Sequence, residues 1–211
     1  VASTKGYTTQ VSILYLIALH FAKVRGSMTE EAFQAAVKEL HELPAKAEEV
    51  LKVDEKMAEI AKKYANRENA FIIGRGLDYA VAMEASLKLK EISYIHAEGY
   101  PAAEMKPGPL ALVDEHMPIV FVATHQEQYQ KIISNMQEVQ SRKGRILAIV
   151  SEGDSVAGRI CEHVIEIPHT LNALVPLLSV IPMQMLAYHV AVAKGLNVDM
   201  PRNLAKSVTV E

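Results

Sequence analysis

Residues 70–109 read AFIIGRGLDYAVAMEASLKLKEISYIHAEGYPAAEMKPGP. The stretch opens on the apolar run Phe71-Ile72-Ile73 and turns through Gly74-Arg75-Gly76. A helix is expected from there to about Tyr94. A short buried strand, a glycine turn and a long helix form the unit of open α/β sheets. Such sheets take ligands at the carboxyl ends of their strands, where Gly74-Arg75-Gly76 stands. Outward from this unit the alternation continues. Strands are expected at 118–123 (PIVFVA), 145–150 (RILAIV) and 163–167, and helices over 126–142 and 171–194. The pattern predicts an α/β fold of three αβα layers with a mostly parallel sheet covered on both faces.

The first helix of this unit carries an unusual stripe. At about 100° per residue, Glu84, Lys88 and Glu91 fall within roughly 60° of one another. Val81, Ala85 and Ile92 flank them on one side, Ala80 and Leu87 on the other. Ser86, Lys90 and Ser93 form a second polar face expected to meet water. Charge between apolar neighbours is costly unless paired or used. The plainer reading is a Glu84–Lys88 salt bridge with Glu91 as a solvated bystander. The functional reading makes Glu91 a proton-transfer carboxylate.

Composition narrows the partners. Lys and Arg number 22 against 25 Asp and Glu, a net charge of −3, and no basic cluster tracks a phosphate backbone, so nucleic acid is not expected. The single cysteine, Cys161, excludes an internal disulfide and suits a reducing, cytoplasmic compartment; it reads as a structural thiol. The apolar stretch 174–193 approaches membrane-spanning length, yet Pro176 and Pro182 break it and Gln184, Tyr188 and His189 interrupt it. A core helix is expected, and no membrane partner. The histidines show no metal-ligand spacing, Gly74-Arg75-Gly76 is too short for a dinucleotide fingerprint, and no serine sits in a nucleophile elbow. No metal and no cofactor are therefore expected.

Three helices lead in: one over about 7–24 capped by Thr8 or Thr9, a second starting at Thr29-Glu30-Glu31, and a third over 42–64. This is odd for the start of an α/β domain and fits the close of one module plus a connector. Opening on Val1 in a polar loop, the chain looks like a fragment of a longer one. At the other end, NVDMPRNLAKSVTVE has no helical stripe, but Leu204, Val208 and Val210 offer apolar anchors. The tail is expected to dock and hold Lys206 near the surface. A partly desolvated lysine amine attacks a sugar carbonyl to give an imine, and a carboxylate in an apolar setting moves a proton beside it. The residues alone do not join Glu91 to Lys206.

The runs SLKLKEISYIHAEGYPAAEMKPGPLALV and DMPRNLAKSVTVE resemble the isomerase half of the glutamine–fructose-6-phosphate aminotransferases, and VASTKGYTTQ resembles the loop closing that family's first sugar-isomerase (SIS) module. The likeness spans essentially the whole chain. It implies an SIS-type, flavodoxin-like domain at 67–194, preceded by the end of a first module and a helical connector (1–66) and followed by a catalytic tail (195–211). It further implies that the complete protein makes glucosamine 6-phosphate from fructose 6-phosphate and glutamine-derived ammonia. Its partners would be the sugar phosphate, a first SIS module and glutaminase domain in the same chain, and a second copy in a homodimer. By the same resemblance Glu91 moves the proton between carbons 1 and 2, Lys88 supports it, and Lys206 opens the sugar and forms the imine. Val1, Ser3 and Ala205 contact the sugar, with Glu84, Arg75 and His96 in support around them.

Two departures stand out. Where the family carries a histidine before Gly-Pro that assists ring opening, this chain has Pro107. Ring opening then falls to another group, such as His96, or is impaired; a structural role for His96 is the competing expectation. The phosphate-binding hydroxyl cradle belongs to the family's first module, and Thr124-His125-Gln126 does not reproduce it. The alternatives are a non-catalytic SIS module that binds phosphosugars or dimerises, and a related phosphosugar isomerase or deglycase.

Overall fold

The computed structural model describes residues 2–124 and 126–205. Val1, His125 and 206–211 lie outside them. Three lead-in helices, α1 (Lys5–Arg25), α2 (Glu30–Leu51) and α3 (Asp54–Tyr64), precede the sheet. Then follow β1 (Asn69–Gly74), α4 (Leu77–Ser93), β2 (His96–Pro101), β3 (Pro118–Ala123), α5 (Tyr129–Gln140), β4 (Arg145–Ser151), β5 (His163–Ile167) and α6 (Val175–Ala193). The five strands are all parallel, in the order β2-β1-β3-β4-β5. β3 is buried at every position, because both faces of the sheet are covered and a continuous apolar run is what such a strand requires. α3, α4 and α6 pack Met57, Ile60, Leu89 and Leu186 on one face. α5 packs Ile132 and Met136 on the other, beside Met105 and Leu110 from the segment after β2.

The expected layers and four of the strands are present. β2 is the strand the sequence did not announce. HAEGYP is polar and ends in proline, yet it pairs with β1 from Asn69 with His96 to Gly74 with Pro101. It is an edge strand, half-exposed, so it needs no apolar run and tolerates a terminal proline. Gly99 lets it lie against α4: a Cβ there would stand 2.8 Å from Ser86 Oγ and 2.9 Å from Met83 Cα.

Several local expectations are corrected. Ser86 and Ser93 do not meet water. They are 2% and 0% exposed, and their hydroxyls donate to the carbonyls of Ala82 and Leu89 at 2.7 and 2.6 Å within the same helix. α4 is buried against both β2 and α6, so of that expected face only Lys90 meets water. Thr29 does cap α2, accepting from the Ala32 amide at 3.2 Å, but that helix runs through Pro44 to Leu51 and the break falls at Lys52-Val53. α6 likewise runs unbroken through Pro182, with Pro176 in its first turn where no amide partner is lost. Of its apolar window 67% is buried inside the protein, as befits a core helix. α1 starts earlier than expected, after Thr4; Thr8 and Thr9 lie inside it, and the Thr9 hydroxyl donates to the Lys5 carbonyl at 2.8 Å.

Gly74 lets α4 begin immediately beyond β1. A Cβ there would overlap the Asp78 carbonyl and sit 2.6 Å from the Tyr79 amide nitrogen, a backbone clash no rotamer relieves. Gly74→Ala is expected to cost about 1–3 kcal/mol, read as a lowered urea midpoint. Gly158→Ala, where a Cβ meets nothing within 4 Å, should leave the midpoint nearly unchanged.

Candidate active site on helix α4

Residues 84, 88 and 91 stand one turn apart, so Lys88 meets a carboxylate on either side. Its Nζ lies 2.5 Å from Glu91 Oε2 and 3.7 Å from Glu84 Oε1. The side chain of Lys88 is only 6% exposed, against 16% for Glu84 and 21% for Glu91. The tighter pair is therefore Lys88–Glu91, the reverse of the plainer sequence reading, and Glu91 is no solvated bystander. An ammonium this dry persists charged only with such a counter-ion. The pair also fixes the Glu91 carboxylate while part of it stays open to a reactant.

Glu84 has the complementary environment. Burial lifts its carboxyl above the ordinary 4.5; Lys88 opposes this and the Glu91 charge adds to it. It lines an open cleft of about 920 Å³ with Tyr7, Tyr100, Glu104 and Pro107. Burial, and next the Glu84 charge, push the Tyr7 hydroxyl up to about 12. Because the folded protein holds the Glu84 proton more tightly than the unfolded chain, stability falls as pH rises from about 4.5 through the raised folded value. Glu84→Gln should abolish that part of the slope. The variant is expected to gain in thermal midpoint relative to the unchanged chain as pH climbs from 4 to 8, and equal slopes would refute the assignment.

Glu91 opens instead on a groove of about 480 Å³ that it lines with Leu87, Tyr94, His96, Arg202 and Leu204. The groove exists because the tail docks there. Leu196 and Val198 pack on the α3–α4–α6 core, Asn197 Oδ1 accepts from the amides of Asp199 and Met200 at 3.0 Å each, and Pro201 is buried. The Arg202 amide then donates to the Tyr94 hydroxyl at 2.8 Å, and its guanidinium stacks 4.2 Å from the Tyr94 ring centroid. Tyr94 ends α4 at φ 60°, a left-handed position that glycine usually fills. A tyrosine there carries some backbone strain, and both its ring and its hydroxyl are engaged by the tail. Tyr94 and Arg202 line the groove and tie the tail to α4, a contact the sequence reading missed; an aromatic where a helix cap favours glycine was the available signal.

The remaining expected site residues scatter. Ala205 is exposed at the end of the described tail, and Ser3 Oγ accepts from the Gly6 amide at 3.1 Å beside α1. Val1, Lys206, Val208 and Val210 lie outside the described residues. Leu204, expected as an anchor, is 38% exposed. His96 edges the Glu91 groove, but its Nδ1 is 3.1 Å from Asn69 Oδ1, its register partner on β1. That places its ring on the sheet face opposite Ala97, which packs toward α4. Arg75 stands at the far end of α4 from Glu91 and donates through Nε to Gln128 at 3.0 Å. Among the described residues no three His, Cys, Asp or Glu side chains gather to hold a metal. Cys161 lies half-buried, 3.8 Å from Met136 Sδ, and burial raises its thiol to about 12.

A parallel sheet of order 2-1-3-4-5, with a dry lysine–carboxylate pair displayed on the helix after its first strand, defines an α/β domain of the flavodoxin-like group. The chain belongs to the SIS domain family, which matches residues 63–194. Over all 211 residues it is 52% identical to the glutamine–fructose-6-phosphate aminotransferase [isomerizing] of Bacteroides thetaiotaomicron and 54% to that of Chlorobaculum tepidum. It spans 34% of the length of each. The C-terminal domain of glucosamine-fructose-6-phosphate aminotransferase from Francisella tularensis superposes with a TM-score of 0.89 at 41% identity, covering 94% of this chain and 56% of that one. Glucosamine-6-phosphate deaminase from Thermotoga maritima, at 21% identity and TM-score 0.68, covers 96% of this chain and 57% of that one, and shares the fold.

Proposed function

We propose that this chain is the second SIS module and catalytic tail of a cytoplasmic, homodimeric enzyme that converts fructose 6-phosphate to glucosamine 6-phosphate with glutamine-derived ammonia. The observation that carries the reading is the Lys88–Glu91 pair, 2.5 Å apart, buried on one side and facing the tail groove on the other. In this reading Lys206 attacks the open sugar ketone and water leaves, giving an imine; ammonia then displaces the lysine. Glu91 takes a proton from carbon 1 of the ammonia-derived imine as the imine nitrogen gains one, and delivers its proton to carbon 2 as the carbon 1 hydroxyl gives its own up, leaving an amine at carbon 2 and an aldehyde at carbon 1. The proton count balances and no electron acceptor is needed. Lys88 keeps the carboxylate oriented between the two positions.

The phosphate is held, in this proposal, by a first SIS module in the same chain, and ammonia is supplied by a glutaminase domain. Val1, Ser3 and Ala205 contact the sugar, and the domain limits are 1–66, 67–194 and 195–211. Among the described residues no histidine lines the cleft that contains Pro107, so in this proposal ring opening rests on Lys206 and water rather than on position 107. Borohydride added to the full-length protein with fructose 6-phosphate should fix a sugar-phosphate adduct on Lys206, located by peptide mapping. An adduct elsewhere, or none, would remove the imine role.

A further inference from the structure

In a 2-1-3-4-5 sheet the chain turns to opposite sides after β1 and after β3, and the gap between their carboxyl ends is where ligands ordinarily enter. Here a side chain already sits in that gap. Asp78, in the first turn of α4, is 2% exposed, and both its carboxylate oxygens point across to Thr124 at the end of β3. Oδ2 accepts from the Thr124 amide at 2.8 Å and Oδ1 from the Thr124 hydroxyl at 2.5 Å. A backbone amide and a hydroxyl at the end of a strand are the donors a phosphate would use. Gly74 brings the first turn of α4 hard against β1, so the carboxylate reaches Thr124 directly.

The adjoining crevice, about 380 Å³, reinforces the sign. It is lined by Thr124, Tyr129, Ser151, Glu152, Asp154 and His169. Its hydroxyls would suit an anion, but Asp154 and Glu152 carry negative charge into it. Asp154 Oδ1 accepts from the amides of Val156 and Ala157 at 3.0 and 2.7 Å, consuming two further donors. Arg75, the cation nearest in sequence to this turn, is engaged by Gln128.

We infer that Asp78 is an internal stand-in for a bound anion: it occupies the switch-point donors of this sheet and excludes phosphorylated ligands from them. Asp78 is thus a specificity-determining residue, and it directs a sugar phosphate away from this module's own crevice. The inference stands apart from the roles given to Glu91 and Lys206, and its test does not involve them.

Tungstate, a tetrahedral oxyanion located by its anomalous scattering, is the probe. Crystals of the full-length protein soaked in tungstate should show no anion within hydrogen-bonding distance of Thr124. Asp78→Ala should admit one at the Thr124 amide and hydroxyl, with an apparent affinity raised about tenfold or more, since a like charge a few ångströms away has been removed. Asp78→Asn keeps the side-chain volume and one acceptor while losing the charge; it should admit the anion more weakly, and it carries the test if the alanine variant does not fold. Tungstate on Thr124 in the unchanged protein would overturn the inference. So would folded variants that leave the position empty.

Discussion

Glu91→Gln in the full-length protein is expected to lower glucosamine 6-phosphate formation by about a hundred- to ten-thousandfold while glutamine hydrolysis continues. Glutamine keeps the length and planarity of the side chain and still accepts a hydrogen bond from Lys88, so the groove and the docked tail should persist. What it removes is the capacity to take up and return a proton. The two activities respond differently because only the sugar's proton transfer uses α4 in the proposed reaction. Parallel assays of glutamate release and amino-sugar formation separate them. Equal loss of both would mean that Glu91 supports the protein as a whole rather than the sugar chemistry.

Lys88→Met should have the largest effect on stability. The methionine fills most of the lysine volume, so little packing is lost. Glu84 and Glu91, however, are left facing each other with no cation between them. Removing one partner of a buried charge cluster costs about 3–5 kcal/mol, and the partial exposure of both carboxylates moves the expectation to about 2–3 kcal/mol at neutral pH. As pH falls, the Glu84 carboxyl, which burial already lifts above its ordinary value, takes up its proton and the deficit should shrink. Replacing all three together, Glu84→Gln, Lys88→Met and Glu91→Gln, should recover most of the stability, because no charge then remains to be compensated. Urea unfolding of the 211-residue chain at pH 7 and pH 4 reads each of these. A Lys88→Met variant as stable as the unchanged chain at neutral pH would show that the pair is not desolvated as described.

What the sequence displayed and what it concealed divide along physical lines. β1, β3 and β4 were visible because an interior strand covered on both faces is apolar through its buried length, as PIVFVA and ILAIV are, while β5, at the other edge, was visible from its β-branched Val164, Ile165 and Ile167. β2 was hidden because an edge strand makes no such demand; His96-Ala97-Glu98-Gly99 reads as a turn until β1 lies beside it. Helical spacing brought Glu84, Lys88 and Glu91 onto one stripe, but it could not tell which carboxylate Lys88 prefers. The side-chain contacts decide for Glu91. The same spacing misassigned Ser86 and Ser93, whose hydroxyls are satisfied by their own helix and therefore need no water. Docking of the tail was expected from Leu204, Val208 and Val210, yet the described tail is held by Leu196 and Val198 on the core and by Arg202 on Tyr94. The Asp78–Thr124 contact had no local signature, since its partners lie 46 residues apart and meet only when β1 and β3 pair.

In the proposed reaction the carboxylate on α4 moves a hydrogen between adjacent sugar carbons. The most direct measurement follows the carbon 1 hydrogens of fructose 6-phosphate in deuterated water by proton NMR, with the full-length enzyme supplied with ammonia. The unchanged protein should exchange one carbon 1 hydrogen stereospecifically, and Glu91→Gln should stop that exchange. Exchange that proceeds at the same rate in Glu91→Gln would contradict the claim and place the base elsewhere.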